Sequence, residues 1–274
     1  MKKYLLIVTA LFVLVLAACG DKKEKEVDST NLESEKTVLK VASLIPPMTE
    51  ILEQTKPLLA KEGIELEVVV LGDNVQPNAA LAAKEVDANF FQHQFFMQEY
   101  NRNNGSDLVA IQEIYYPNFG IYAKNYDSWD ALPEGASIAI ANDASNIDRT
   151  LRLLEMSDAI EMQEKTGPYY TLKDITTNEK NLVFKEVDLL MLARMYDEAD
   201  AVVMYPAYAA PLGLTPSEDA ILTEGEGNEF AIQLVTREEN QNDEAIQKLK
   251  EAMTSDTVRQ FLEENHKETA TPAF

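Results

Sequence analysis

The chain has 274 residues and a formal net charge of −23. A chain of this length can bury a sizeable core in one or two domains. Because binding to phosphates needs a basic face, the acidic excess argues against nucleic acid as a partner.

The N-terminus, residues 1–18, has the pattern of a bacterial signal peptide. A positive start (1–3) precedes an apolar stretch (4–16) that is too short to span a bilayer. Residues 16–19, Leu-Ala-Ala-Cys, resemble a lipobox, whose cysteine receives lipid after cleavage. Cys19 is the only cysteine; the alternative is an ordinary signal peptide with a stray thiol. We expect Cys19 to anchor an exported protein on the extracytoplasmic face of the cell membrane through lipid. Residues 19–36 then form a charged, flexible tether.

The folded part begins at Thr37 with alternating strands and helices. Apolar runs predict strands over 38–44, over 64–71 and from 86 onwards, and helical spacing predicts helices over 49–61, 78–84 and 95–100. This alternation predicts parallel pairing through right-handed crossovers.

A second alternating unit follows two crossing strands within 107–124. Strands are predicted over 137–141, 182–187 and 199–204, with helices over 147–154 and 189–198; a strand over 229–237 and helices over 244–253 and 257–265 close the chain. We therefore expect an α/β protein in which residues 37–120 plus 231–274 form lobe 1 and residues 121–230 form lobe 2. Two crossings between lobes are typical of hinge-closing binding proteins.

The two units contain a short echo. Asp87-Ala88 and Asp200-Ala201 each follow a predicted helix, and each leads through a strand into aromatic residues (Phe90 and Phe91; Tyr205 and Tyr208). Strands that end in aromatic and polar groups are where open α/β sheets hold ligands, so the echo indicates a ligand between the lobes. The alternative is that Phe90 and Phe91 belong to the core and His93 caps a helix.

Catalytic and metal-binding motifs are missing from the sequence. It contains no Gly-x-Gly-x-x-Gly, Walker lysine, Cys-x-x-Cys or Gly-x-Ser-x-Gly pattern, and only two histidines. We expect no enzyme activity, no cofactor and no metal site.

Four motifs carry a resemblance to a known family: 73–78 (Asp-Asn-Val-Gln-Pro-Asn), 87–93 (Asp-Ala-Asn-Phe-Phe-Gln-His), 141–149 and the terminal 272–274 (Pro-Ala-Phe). Over 38–274 the chain resembles the substrate-binding lipoproteins of bacterial methionine-uptake ABC transporters, the NlpA lipoprotein family. The resemblance implies a two-lobed periplasmic-binding-protein-like fold of type II, each lobe a mostly parallel sheet flanked by helices. It also implies a monomer that captures methionine or a related amino acid and delivers it to an ABC permease and ATPase in the membrane.

The resemblance also assigns three ligand-binding residues. Arg149 matches the arginine that grips the ligand carboxylate, Phe91 matches a stacking aromatic, and His93 matches a histidine of the side-chain pocket. We expect Arg149 in the first turn of a helix, where the helix dipole and a bidentate guanidinium both favour a carboxylate. The alternative for Arg149 is a surface position on the helix.

Four positions depart from the family pattern, in places where its tyrosines and asparagines hold the ligand: Asn74, Phe96, Tyr205 and Ile232. Asp148 stands where the family usually has glycine. It either contacts the ligand ammonium or forms a capping box with Ser145. These departures keep open a short-peptide ligand, and a surface adhesin or sensor without transport ligand.

Overall fold

The structure, a computed structural model, describes residues 37–225 and 228–274. The predicted signal peptide, Cys19 and the whole of the tether (19–36) lie outside the described residues. In chain order the strands are β1 (Thr37–Ser43), β2 (Ile64–Val70), β3 (Ala88–His93), β4 (Leu108–Pro117), β5 (Gly120–Tyr122), β6 (Ser137–Ala141), β7 (Glu161–Met162), β8 (Ile175–Thr177), β9 (Val183–Val187), β10 (Ala201–Met204), β11 (Ala220–Thr223), β12 (Ile232–Arg237) and β13 (Ala270–Pro272).

The helices pack on the sheets that these strands form. They are α1 (Met48–Lys61), α2 (Gln76–Ala82), α3 (Gln94–Asn104), α4 (Ala144–Met156), α5 (Leu192–Met195), α6 (Pro206–Ala209), α7 (Pro216–Asp219), α8 (Glu244–Met253) and α9 (Asp256–Asn265). The helix predicted over 189–198 is instead a 3-10 turn followed by the four-residue α5. Over 37–225 and 228–274, every helix is too short or too polar to cross a bilayer.

Two sheets define the two lobes. The first has the strand order β13-β4-β12-β3-β1-β2, and the second has the order β11-β5-β10-β6-β9. The chain passes from the first sheet to the second after Pro117 and returns between Thr223 and Ile232. We propose that these two crossings are the lobe boundaries, close to the predicted positions.

Both sheets are mixed, which corrects the expectation of mostly parallel sheets. In the first, β1 pairs in parallel with β2 and β3, whereas β12 is antiparallel to both of its neighbours. In the second, β6 is parallel to β9 and β10, whereas β5 is antiparallel to β10 and β11. Parallel pairs need a helical crossover, and the strand–helix units supply it as predicted. The strands next to the lobe crossings, β4, β5, β11 and β12, have no such helical crossover and pair in antiparallel fashion.

Each sheet is apolar on both faces. In β1, Val41 packs with α1, α8 and α9, while its neighbour Ala42 faces α2 and α3. In β10 of the second lobe, Val203 belongs to one apolar cluster and its neighbour Val202 to another. Successive strand residues point to opposite faces, so a sheet covered on both sides needs continuous apolar runs. This is why the central strands could be found from the sequence.

Candidate functional site

A cavity between the lobes, called here the interlobe cavity, has an empty volume of about 540 Å³. This figure includes open solvent at the cavity mouth; the space open to the centre of a water-sized sphere is about 40 Å³. Its walls come from the end of β3 and the start of α3 in the first lobe, and from α4 and the start of α6 in the second. Both lobes thus supply a strand that ends at the cavity, as the echo in the sequence predicted.

The first lobe supplies an aromatic wall. Phe91, His93 and Phe96 line the cavity, and the rings of Phe91 and Phe96 meet edge-to-face with centroids 5.9 Å apart. Tyr115 of β4 and Asn74, just before α2, complete this wall. The edge-to-face geometry is the arrangement that aromatic quadrupoles favour, so the wall is a defined surface for an apolar group.

His93 has two roles, because it lines the cavity and also caps the N-terminus of α3. Its Nδ1 accepts the backbone N–H of Phe96 at 3.2 Å, and its Nε2 lies 3.4 Å from Oδ1 of Asn146. Since Nδ1 is the acceptor, the proton belongs on Nε2, which points across the lobes at Asn146. Burial, and after it the positive charge of Arg149, lowers the pKa of His93 to about 3. The imidazole is therefore neutral.

The second lobe supplies Tyr205, Tyr208 and Asn146. Tyr205 is the residue between β10 and α6, and its hydroxyl donates to Oδ1 of Asn146 at 2.7 Å. The amide group of Asn146 donates to the Asp143 carboxylate at 2.9 and 3.0 Å. Burial raises the pKa of Tyr208 to about 12, against the lowering effect of Asn74 beside it. These phenols are protonated and act as neutral hydrogen-bonding groups.

Arg149 is placed behind the cavity and not on its wall, which corrects the expected position. The helix begins three residues before the predicted start, so Arg149 lies in its second turn, where the helix dipole is weaker. Its side chain is fully buried and binds Glu224 bidentately, with Nε–Oε1 at 2.7 Å and Nη2–Oε2 at 2.5 Å. The rings of Phe119, Tyr205 and Phe230 surround the guanidinium, with centroids 4.4, 4.9 and 4.6 Å away.

The electrostatics of Arg149 follow from this cage. Burial alone would lower the pKa of Arg149, but the Glu224 carboxylate and then the Tyr205 phenol outweigh burial, and the net shift is upwards. Its Nη1 is buried without a hydrogen-bond partner among the described residues. The charge of Arg149 is thus compensated within the protein.

Asp148 has neither of the two predicted roles. Its carboxylate accepts Nε–H of Arg152 at 2.8 Å and the backbone N–H of Tyr170 at 2.7 Å, away from the cavity lining. The cap of α4 is Asp143, which accepts the backbone N–H of Asn146 at 2.9 Å. A capping box with Ser145 was wrong because the helix begins earlier than its apolar pattern indicates.

Two of the motifs form a buried amide cluster beside the cavity. Nδ2 of Asn78 donates to Oε1 of Gln92 at 2.8 Å, and Nδ2 of Asn89 donates to Oδ1 of Asn78 at 2.8 Å. Gln92 also donates to Asn78 and Asn89. Buried amides need such partners, so this cluster ties α2 to β3 and fixes the strand end that presents Phe91 and His93.

Contacts between the lobes surround the cavity. The Glu99 carboxylate of α3 accepts the backbone N–H groups of Ala144 and Ser145, at 3.2 and 2.9 Å, at the start of α4. Nearby, Arg102 of α3 donates to the hydroxyl of Tyr169, which itself donates to the backbone carbonyl of Phe95 at 2.7 Å. These contacts hold the lobes together in the described arrangement.

Five of the seven predicted site residues line the interlobe cavity: Asn74, Phe91, His93, Phe96 and Tyr205. Ile232, one of the four departures, lines it as well. The prediction omitted Asn146 and Tyr208, although both stood inside stretches already singled out. It also omitted Glu224, because nothing in the sequence links it to an arginine 75 positions away.

Comparison with known proteins agrees with this architecture. Residues 39–274 match the NlpA lipoprotein family. The chain is 37% identical over 261 residues to the methionine-binding lipoprotein MetQ of Bacillus subtilis, covering 93% of each. It superposes with a TM-score of 0.84 on the lipoprotein Tp32 of Treponema pallidum (33% identical; 87% of this chain and all of that one). A nutrient-binding protein from Burkholderia cenocepacia bound to methionine gives 0.83 (32% identical; 86% and 100% covered).

The two sheets, the two crossings and a cavity walled by both lobes define a two-lobed substrate-binding protein of type II. With the match over 39–274, the chain belongs to the NlpA lipoprotein family.

Proposed function

We propose that the protein is the substrate-binding component of an ABC importer and captures an amino acid or a close relative, methionine being the first candidate. The observation that carries this proposal is the interlobe cavity itself, where His93 of the first lobe faces Asn146 of the second at 3.4 Å. A ligand there touches both lobes, so its binding free energy favours the closed arrangement. The protein then acts by binding alone, without making or breaking a covalent bond.

The cavity lining suits an apolar or thioether side chain. Phe91, Phe96 and Ile232 give it an apolar surface, and sulfur packs favourably at ring edges. The hydroxyls and amides of Tyr205, Tyr208 and Asn74 provide the polar contacts of the ligand. A relative named as a methionine-binding lipoprotein and a similar nutrient-binding protein bound to methionine support this ligand class.

Delivery of the ligand involves three further components in this proposal. Lipid on Cys19 holds the protein at the extracytoplasmic face of the cell membrane, and residues 19–36 tether the lobes to it. A permease and an ATPase in that membrane take up the ligand. The binding component itself is monomeric.

A thermal-shift screen tests the proposal. The compounds are the free amino acids, both methionine enantiomers, methionine dipeptides and methionine derivatives with blocked amino and carboxyl groups; a sugar is the control. A ligand that binds only the folded state stabilises it by about 2.7 kcal/mol at a hundredfold excess over Kd. At least one compound of the amino-acid type should therefore raise the melting temperature with increasing concentration. If none does, a surface adhesin or sensor is the better account.

A further inference from the structure

The polar groups on the wall of the interlobe cavity are neutral donors and acceptors. They are the side-chain amides of Asn74, Gln92 and Asn146 and the hydroxyls of Tyr115, Tyr205, Tyr208 and Thr269. His93 lies among them with a lone pair already used by the backbone N–H of Phe96. Such groups match amide, ester, alcohol or thioether functions of a ligand. They are weaker partners for a buried carboxylate or ammonium, which requires a group of opposite charge.

The cation nearest to this wall is already neutralised. Arg149 uses Nε and Nη2 for the two oxygens of Glu224, and its own exposure is 0%. A ligand carboxylate would have to displace a bidentate carboxylate that is part of the chain. Since bidentate pairs of this kind are among the strongest hydrogen-bonded contacts in proteins, displacement is costly.

Tyr205 separates Arg149 from the cavity. The ring contacts the guanidinium at 4.9 Å, while the same residue lines the cavity. The hydroxyl is held by Asn146 at 2.7 Å, and Asn146 is held by Asp143. These two hydrogen bonds fix the ring as a cover over Arg149. Tyr205 is one of the four departures from the family pattern, which has asparagine, a much smaller side chain, at this position.

We propose that the interlobe cavity selects a ligand that carries no formal charge where it is buried: an amino-acid relative whose amino and carboxyl groups are blocked or absent. Tyr205 is the residue that determines this specificity, because it covers Arg149 and presents a hydroxyl-bearing wall to the cavity in place of the guanidinium. This inference rests on the proposed function, which places the ligand in the cavity and gives it an apolar or thioether side chain; within that function it ranks uncharged relatives of methionine above methionine itself.

Four compounds that share the methionine thioether arm, none of them larger than methionine, test the inference. They are L-methionine (zwitterion), methylthiopropanoate (anion), methylthiopropylamine (cation) and the uncharged alcohol methionol. Calorimetric titration of the purified protein should give methionol the lowest Kd, at least tenfold below that of each charged compound. A lower Kd for L-methionine than for methionol overturns the inference and supports the proposed function. Failure of all four, with the protein folded, contradicts the proposed function as well.

Two variants test the role of Tyr205. Tyr205→Asn uncovers Arg149 and should move the ranking towards L-methionine and methylthiopropanoate by at least tenfold relative to methionol. Tyr196→Asn makes the same change at a residue outside the cavity lining, so this variant should keep the wild-type ranking. If both variants change the ranking equally, the change does not come from access to Arg149, and the role given to Tyr205 is wrong. Thermal unfolding by circular dichroism checks that both variants are folded.

Discussion

Glu99 of the first lobe accepts the backbone N–H of Ser145 in the second lobe at 2.9 Å. The same carboxylate also accepts the N–H of Ala144 at 3.2 Å. The first N–H groups of a helix lack partners within it and carry the positive end of its dipole. A carboxylate from the opposite lobe therefore supplies both a cap and a favourable charge, and it can do so only while the lobes are together.

Glu99→Gln should weaken ligand binding and leave fold stability nearly unchanged. The variant removes the charge that favours closure, and helix-terminus contacts of this kind contribute about 0.3–2 kcal/mol. Calorimetry with a ligand from the screen measures the change in Kd. Glu263→Gln, an exposed change on α9, is the matched control and should leave Kd unaltered. Equal affinity of the Glu99 variant and wild type would show that this contact does not favour closure.

Arg149→Met should destabilise the fold by about 3–5 kcal/mol, because it leaves the Glu224 carboxylate buried without its partner. This differs from the carboxylate-gripping role that the resemblance implied for Arg149, under which the change would act mainly on ligand binding. Urea-induced unfolding measures the loss. The exposed pair Arg194–Glu198 gives a control, Arg194→Met, with a much smaller effect.

The double variant Arg149→Met with Glu224→Leu tests whether the two side chains contribute to stability only through each other. Because it removes both charges together, it should be more stable than Arg149→Met alone. If the double variant loses as much stability as the sum of both single variants, the pair is not an isolated unit and the account of Arg149 is incomplete.

The parts of the fold that could be predicted are those with a local signal. Asp87 and Asp200, the echoed residues, each accept a backbone N–H from the neighbouring strand, those of Lys40 and Ser137, both at 2.8 Å. Apolar runs and the Asp-Ala pairs thus identified the parallel centres of both sheets. The antiparallel strands β11 and β13 lack such a pattern, and their pairing depends on residues far away in the chain.

The site was predictable where it follows strand ends and not where it depends on tertiary pairing. Phe91 and His93 lie at the end of a strand that the sequence marks clearly. The Arg149–Glu224 pair spans 75 positions, and only the folded chain shows that Glu224 takes the place expected of a ligand carboxylate. Asp148 was misjudged for a related reason, since its partner Tyr170 lies on a separate loop.

Stability should fall as the pH drops from about 6.5 towards 5, in part because of His93. Burial lowers its folded-state pKa from 6.5 to about 3, so in this window the unfolded chain binds a proton that the folded chain does not. The contribution of the neutral His93 to the free energy of unfolding is fully present above pH 6.5 and is lost progressively as the pH approaches 3. Asp73, Asp174 and Asp200 have lowered pKa values and remain ionised in the window from pH 6.5 to 5.

Urea unfolding at several pH values measures this slope. His93→Asn keeps an N-cap acceptor but cannot titrate, so its slope between pH 6.5 and 5 should be flatter than that of wild type. Gln260→Asn, an exposed change between two side chains that do not titrate, is the control and should retain the wild-type slope. A His93→Asn variant with an unchanged slope would mean that His93 titrates normally in the folded protein.

Cys19→Ala should release the protein from the membrane fraction or leave it with its signal peptide, because lipid attachment needs the thiol. Cell fractionation and the mass of the N-terminus measure the outcome. Ser29→Ala in the predicted tether is a control that should remain in the membrane fraction. A Cys19→Ala protein that is cleaved and still fractionates with membranes would rule out the lipid anchor.

The central claim is that the ligand is bound between the lobes. Ala207→Trp places a large ring on the cavity wall, whereas Ala210→Trp adds the same ring at an exposed position three residues further on. The decisive measurement is native mass spectrometry of wild type and both variants, incubated with the compound that gives the largest thermal shift. We expect one bound molecule on wild type and on Ala210→Trp, and none on Ala207→Trp. Equal occupancy of Ala207→Trp and wild type would contradict binding in the interlobe cavity.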